Sequence, residues 1–378
     1  MKKESPIAIA LAGLVALAVA MGIGRFAFTP ILPMMQREGL ASIASGGWLA
    51  SANYLGYFVG ALSAMFVRIA PATAIRLGLA AIVLTTLAMA LDGHMASWIA
   101  WRTIAGIASA WVLVFGSAWA LERLTALGRP TLGGAVFTGV GVGIAIAGLA
   151  CLASMRVDAS ANQAWIVLAV MAAIGTAFAW PIVGRGASRP SAQALHFDLH
   201  GFAKLTLCYG ALGFGYIVPA TFLPAMAREA IPDPAIFGWT WPIFGIAAAA
   251  STLFAAPLAR AIGYRKLWIL ANLVMAGGVA IPLASTGVTA LLASAILVGA
   301  TFMVITMAGL QEARRLGGPR SRELIAAMTS AFALGQILGP IVVSVLASRG
   351  AGYEAALALA TIALALSSVA LSAAEKER

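Results

Sequence analysis

Charge is what this chain has least of: Asp, Glu, Lys and Arg together make up 10% of its 378 residues, against about 25% in a soluble domain. With 62% of residues apolar, too little polar surface is left for water to be the main solvent. Histidine is rarer still, at three. His196 and His200 share a loop with Asp198, a set too sparse to hold a metal, so neither a metal nor another cofactor is expected. The two cysteines, Cys151 and Cys208, fall toward opposite membrane faces, which excludes a disulfide between them. Acidic residues avoid the middles of the apolar runs. Asp92, Glu122, Glu312 and Glu323 lie near helix ends, and Arg123 beside Glu122 and Arg314 near Glu312 read as ordinary ion pairs. No carboxylate presents itself as a buried proton carrier. An enzyme would need a nucleophile with its base, a metal set or a phosphate loop; the Gly-x-Gly matches here lie inside apolar helices rather than after a strand. The chain is not expected to be an enzyme.

What is present is a series of long apolar runs. About 20 apolar residues carry a helix across roughly 30 Å of hydrocarbon, and such runs fill 7–35, 43–66, 73–91, 96–121, 131–153, 163–183, 203–226, 238–259, 267–287, 289–311, 323–347 and 353–372. They lack the apolar/polar alternation of lipid-facing barrel strands, so the backbone must be satisfied within helices. The expected fold class is all-α, a polytopic membrane protein with twelve transmembrane helices. Met1-Lys2-Lys3 and the following run to Ala18-Val19-Ala20 resemble a secretory signal with its cleavage site. The run continues past residue 20 into a segment repeated later, so it reads as a retained first helix.

The net charge of +11 does not point to nucleic acid, because the basic residues sit in short loops rather than on one stripe. With the N-terminus inside, eighteen of the 24 Lys and Arg fall on the cytoplasmic side and only Arg37, Arg156, Arg228 and Arg349 outside. Cytoplasmic loops are enriched in these residues, and a missed helix in the middle would destroy the split. A multi-pass protein of a bacterial inner (plasma) membrane with both termini cytoplasmic is expected. The longest polar connection, Gly184 to His200, divides the chain into an N-terminal six-helix bundle, 1–183, a cytoplasmic linker, 184–202, and a C-terminal six-helix bundle, 203–378.

An internal repeat supports that division. Gly22-Ile23-Gly24-Arg25, running on to Leu32-Pro33-Met34-Met35-Gln36-Arg37-Glu38, matches Gly213-Phe214-Gly215-Tyr216, running on to Leu223-Pro224-Ala225-Met226-Ala227-Arg228-Glu229, at an offset of 191. The same offset carries Gly47-Trp48 onto Gly238-Trp239. Two such halves in the same orientation are the parallel-repeat arrangement of major facilitator transporters. The chain resembles that superfamily over essentially its whole length. Pro257 to Lys266 is similar to the basic loop motif the family places between helices 8 and 9, with Arg260 where the motif has Asp. Arg102-Thr-Ile-Ala-Gly106 resembles the family's Arg-x-x-x-Gly element, which implies a role for Arg102 in coupling or substrate handling. Gly22 to Glu38 and Tyr209 to Arg228 together resemble the YbfB-like branch. Family antiporters often carry Gly-Pro in helix 5, whereas here Ile144 follows Gly143 and the Gly-Pro is Gly339-Pro340 in helix 11.

The resemblance implies secondary active transport by alternating access. A guanidinium at the bilayer centre costs roughly 2.5–3.5 kcal/mol, so an intramembrane arginine faces a wet cavity, a partner or, by snorkelling, the interface. Arg25 and Arg102 are the two such residues, and they point to a small, anionic solute. Asn53, Tyr54, Tyr57, Tyr209, Tyr216 and Gln336 complete the candidate pathway, although each has a packing explanation in interfacial rings or helix-to-helix amide bonds. Pro30, Pro33, Pro219 and Pro224 are candidate bends in helices 1 and 7, and Gly139, Gly143, Gly339 and Pro340 candidate packing or hinge positions. The expected partners are a small-molecule solute and the lipid bilayer, with protons as the candidate coupling ion and no nucleic acid; a monomer is expected. The rival reading is a non-transporting membrane sensor or scaffold of the same fold.

Overall fold

In a computed structural model, residues 5–67, 69–91, 93–129, 132–183, 202–231, 233–317 and 321–376 are described. The expected linker up to residue 201, the His196/Asp198/His200 loop within it, Asp92 and the side chain of Glu323 lie outside them. Among the described residues the chain forms twelve long helices and no strand: α1 Pro6–Arg37, α2 Ile43–Phe66, α3 Pro71–Leu91, α4 Met95–Ala126, α5 Gly133–Arg156, α6 Ala161–Ala179, α7 Ala203–Ala230, α8 Thr240–Ile262, α9 Tyr264–Ala284, α10 Val288–Gly317, α11 Ser321–Ser348 and α12 Glu354–Lys376. Ten are long and apolar enough to cross a membrane; the other two are α2 and α8, and α8 holds a shorter apolar stretch, Thr240–Ala255. A single turn at Pro234–Phe237 precedes α8.

The helices pack as two units. The first comprises Met1–Ala41 and Ala52–Ala192, the second Ser42–Ser51 and Gln193–Arg378. In the second unit, Ser344 Oγ donates to the Ala44 carbonyl at 2.9 Å and Ser51 Oγ to the Ile337 carbonyl at 3.2 Å.

Glycine decides how closely helices approach in the first unit. A Cβ on Gly139 would clash with the Leu14 carbonyl oxygen, and one on Gly143 with that of Ala18, so α5 lies backbone to backbone on α1. Small residues four apart permit that approach between membrane helices. In the second unit Gly335 and Gly213 play the same part between α11 and α7, each set against the other helix's backbone, and Gly339 lies against the Ile217 side chain. Pro33, Pro219, Pro224 and Pro340 all lie inside continuous helices, and Pro30 is buried in the Phe28–Arg37 stretch of α1. Prolines are tolerated inside membrane helices where neighbouring groups can satisfy the carbonyls they leave free.

Side chains at the helix ends extend the repeat beyond what the sequence displays. Arg76, at the start of α3, donates from Nε and Nη2 to the Trp180 carbonyl at 3.2 and 3.0 Å. Arg265, at the start of α9, donates from the same atoms to the Leu371 carbonyl at 3.1 and 2.9 Å. Trp180 and Leu371 follow the final turns of α6 and lie in those of α12, 191 residues apart. A cation there lies toward the negative end of the helix dipole, and Trp180 is the C-cap of α6.

The duplicated Arg-Glu pair also acquires a purpose in the first unit. Glu38 Oε1 accepts from the Ala161 backbone N–H at 2.8 Å, beside the reciprocal Ser160/Gln163 cap that starts α6. Arg37 Nη2 donates to the Ala159 carbonyl at 3.1 Å and Nη1 lies 3.7 Å from Asp158. The ion pair is solvated and contributes little, whereas the capped N–H has a definite worth. Glu38→Ala is therefore expected to destabilise the protein by about 1 kcal/mol, seen as a lower thermal midpoint in detergent that high salt does not abolish.

Candidate functional site

The first unit gathers five of the candidate residues around an irregular stretch of α1. Pro6–Leu17 and Phe28–Arg37 are α-helical, but Ala18–Arg25 between them is a π-helix. The sequence places the interruption of helix 1 at Pro30 and Pro33; the irregular winding lies before them, and Phe28–Arg37 is α-helical through both prolines. Gly22 and Gly24 lower the helical preference of this stretch, and neighbouring side chains take up carbonyls that the widened turn presents. Ser109 Oγ donates to the Ala20 carbonyl at 2.8 Å, Asn53 Nδ2 to that of Gly24 at 3.2 Å, and Arg102 Nη2 to that of Arg25 at 3.1 Å. Asn53 Nδ2 also donates to the Arg102 carbonyl at 2.9 Å, which ties α2 to α4.

Arg25 ends the π-helix with its side chain buried. Its Cζ lies 3.7 Å from the Tyr57 ring centroid and 5.3 Å from those of Tyr54 and Phe26. Arg102 is equally buried, its Cζ 5.0 Å from the centroid of Phe28. Ring faces attract a guanidinium through their quadrupoles, the more so when water is excluded. All the groups just named around the two cations are neutral. No acidic residue occurs in the sequence between Glu4 and Glu38, or from there to Asp92, so α2 and α3 bring none.

The second unit places aromatic rings where the first places polar groups. Tyr216, the repeat partner of Arg25, stacks between Phe302 at 5.5 Å and Phe332 at 5.7 Å, within 7° of parallel, and Gln336 Nε2 donates to its hydroxyl. The column continues from Phe302 to Phe244 and Trp241, while Tyr209 packs on Phe332 and edge-on to Trp268. The backbone frames correspond. Gly106 abuts the Asn53 carbonyl and Gly299 that of Phe244, and Asn53 and Phe244 stand 191 apart. Ser109 and Phe302 each follow their glycine by three residues. One frame thus carries Arg25, Asn53 and Ser109, the other Tyr216, Phe244 and Phe302.

Sequence reasoning missed Ser109, Phe302 and Phe332. Ser109 also donates to Ala105 at 2.7 Å, the ordinary backbonding of a serine inside a helix, and nothing in its neighbourhood sets it apart. The phenylalanines carry no mark of their own, because the offset of 191 pairs Phe302 and Phe332 with Trp111 and Gly141.

Glu312 corrects the reading of helix-end carboxylates. It is 1% exposed, within a helix that runs to Gly317 rather than stopping at 311. Arg315 Nε and Nη2 donate to its two oxygens at 2.9 and 2.8 Å, and Arg265 Nη1 lies 3.6 Å away. Arg314 is not the partner, because residues two apart on a helix point away from each other and residues three apart meet. A cavity of about 270 Å³ opens beside this cluster, lined by Gly263, Tyr264, Arg265, Lys266, Glu312 and Arg315 among others. Cys151 and Cys208 are both buried thiols.

Among the described residues, twelve long helices, ten of them long and apolar enough to cross a membrane, in two repeated units with cations inside one of them, define a multi-pass membrane transporter rather than an enzyme. The profile of the family described as "uncharacterised MFS-type transporter YbfB" matches residues 17–372, and the chain belongs to that family of the major facilitator superfamily. A crystal structure of a single-substitution variant of the nucleoside transporter NupG superposes with a TM-score of 0.77 over 96% of this chain and 99% of that one, at 15% identity, a likeness of fold. No curated protein sequence matches the chain.

Proposed function

We propose that the protein is a secondary active transporter that carries a small anionic solute across a bacterial inner membrane by alternating access of its two halves, with both termini cytoplasmic. The reading rests on one observation: Arg25 and Arg102 lie buried in the first unit among rings, an amide and backbone carbonyls. Cations at bilayer depth are costly to keep and mark substrate or ion pathways. An anion entering this nest would meet charge-assisted donors without displacing a resident carboxylate from α1, α2 or α3. The distribution of basic loop residues supports the orientation.

The test is competition for binding to the purified protein, repeated for uptake and counterflow in proteoliposomes. Matched carboxylates, neutral compounds including nucleosides, and organic cations are compared. Carboxylates are expected to compete. Competition by neutral or cationic compounds alone would overturn the anion assignment, and binding without counterflow would overturn transport.

A further inference from the structure

Among the buried polar atoms of the nest around Arg25 are an acceptor and a donor of opposite kinds, Asn53 Oδ1 and Arg102 Nε, with no partner among the described residues. Asn53 is fully buried, and its Nδ2 serves two carbonyls, those of Gly24 and Arg102. Only the NH2 end of an amide can donate to carbonyls, so its orientation is fixed. The other end, Oδ1, is an acceptor that nothing reaches. Arg102 spends Nη2 on the Arg25 carbonyl and leaves Nε, a cationic donor, without an acceptor. Buried groups of this sort are rare in native proteins and ask for an explanation.

A bare carboxylate answers half of the demand. Its oxygens accept from Arg102 Nε, but an ionised carboxylate has no hydrogen to offer Asn53 Oδ1. An ammonium group would supply donors and bring a third positive charge beside two guanidiniums. The complementary ligand carries both an anionic acceptor and an uncharged donor. We infer that the transported anions are carboxylates that also bear an uncharged donor, a hydroxyl or an amide N–H, of which 2-hydroxy acids and N-acyl amino acids are the simplest, with Asn53 Oδ1 as the group that selects them.

This rests on the anion reading above and sharpens it. The atoms are enclosed in the present state, so the ligand reaches them when the Tyr57 and Phe28 rings that cover the guanidiniums move aside. Discrimination follows from burial: a site whose polar atom is matched by the substrate rejects the analogue that leaves the atom unmatched far more strongly than an apolar pocket rejects a missing methylene.

The experiment compares matched pairs, lactate with propionate and mandelate with phenylacetate, by calorimetric titration of the purified full-length protein and by uptake competition in proteoliposomes. The hydroxy member of each pair is expected to bind at least about tenfold more tightly, and in Asn53→Ala that preference is expected to disappear. Should Asn53→Ala fail to fold, the comparison in the unmodified protein still decides. Equal affinity within both pairs overturns this inference and leaves the anion reading standing. Binding of neutral compounds with none of the four acids overturns both.

Discussion

Replacing Arg25 by glutamine is expected to lower the affinity for a competing carboxylate by about 100-fold, because it removes a buried charged partner from the site. At room temperature that is about 2.7 kcal/mol. Glutamine keeps much of the length and removes the charge, so the protein is expected to remain folded and monodisperse. Arg25→Lys is the sharper control. It keeps the charge but replaces a flat group resting 3.7 Å from the Tyr57 ring by a compact, strongly hydrated ammonium, and a loss of about tenfold is expected from the weaker ring contact. Arg102 is a poorer first target, since its guanidinium also holds the Arg25 carbonyl. Undiminished carboxylate competition in the glutamine variant would remove Arg25 from the site.

The second large effect is one of stability. Glu312 is enclosed, and two arginines approach it from different sides, Arg315 one turn on in α10 and Arg265 from the start of α9. Removing one member of a buried ionic cluster leaves the others uncompensated, and Glu312→Ala is expected to cost about 3 kcal/mol. Arg265 suffers most, being 11% exposed where Arg315 is 62% exposed and can turn to water. Thermal unfolding in detergent reads the loss. A cycle pairing Glu312→Ala with Arg265→Ala separates coupling from truncation, because the double variant is expected to be less damaged than the two single losses added together. Additive losses would mean that Arg265 is held by the Leu371 carbonyl alone.

Element type was legible because lipid leaves the backbone few choices, and apolar length reports it directly. Ranges such as 43–66 for α2 agree with the helices observed. Ends were less legible where polar residues continue a helix past the apolar run, as in α10, which extends through Glu312 to Gly317. The candidate site was legible as residue types: Arg25 and Arg102 stand out because arginine is so out of place in such runs. How they are held was not. The π-helical stretch has no sequence mark beyond two glycines, and the donors that serve it, Asn53, Arg102 and Ser109, come from helices whose facing depends on packing. The match of Arg76 to Arg265 was hidden by an offset of 189 instead of 191, and it emerges only from the carbonyls the two side chains share in kind.

The widened winding between Ala18 and Arg25 makes α1 sensitive to chain length in an unusual way. Elsewhere in a spanning helix, losing one residue rotates everything beyond it and ruins the packing on one side. Here, shortening the stretch by one restores ordinary winding, and the Pro6–Leu17 portion keeps its seat against α5. The widened turn absorbs the missing residue, so Phe28–Arg37 keeps its phase and only side chains inside the stretch, Arg25 among them, are re-aimed without unfolding the helix. Length in this stretch, as much as residue identity, sets where the charge points.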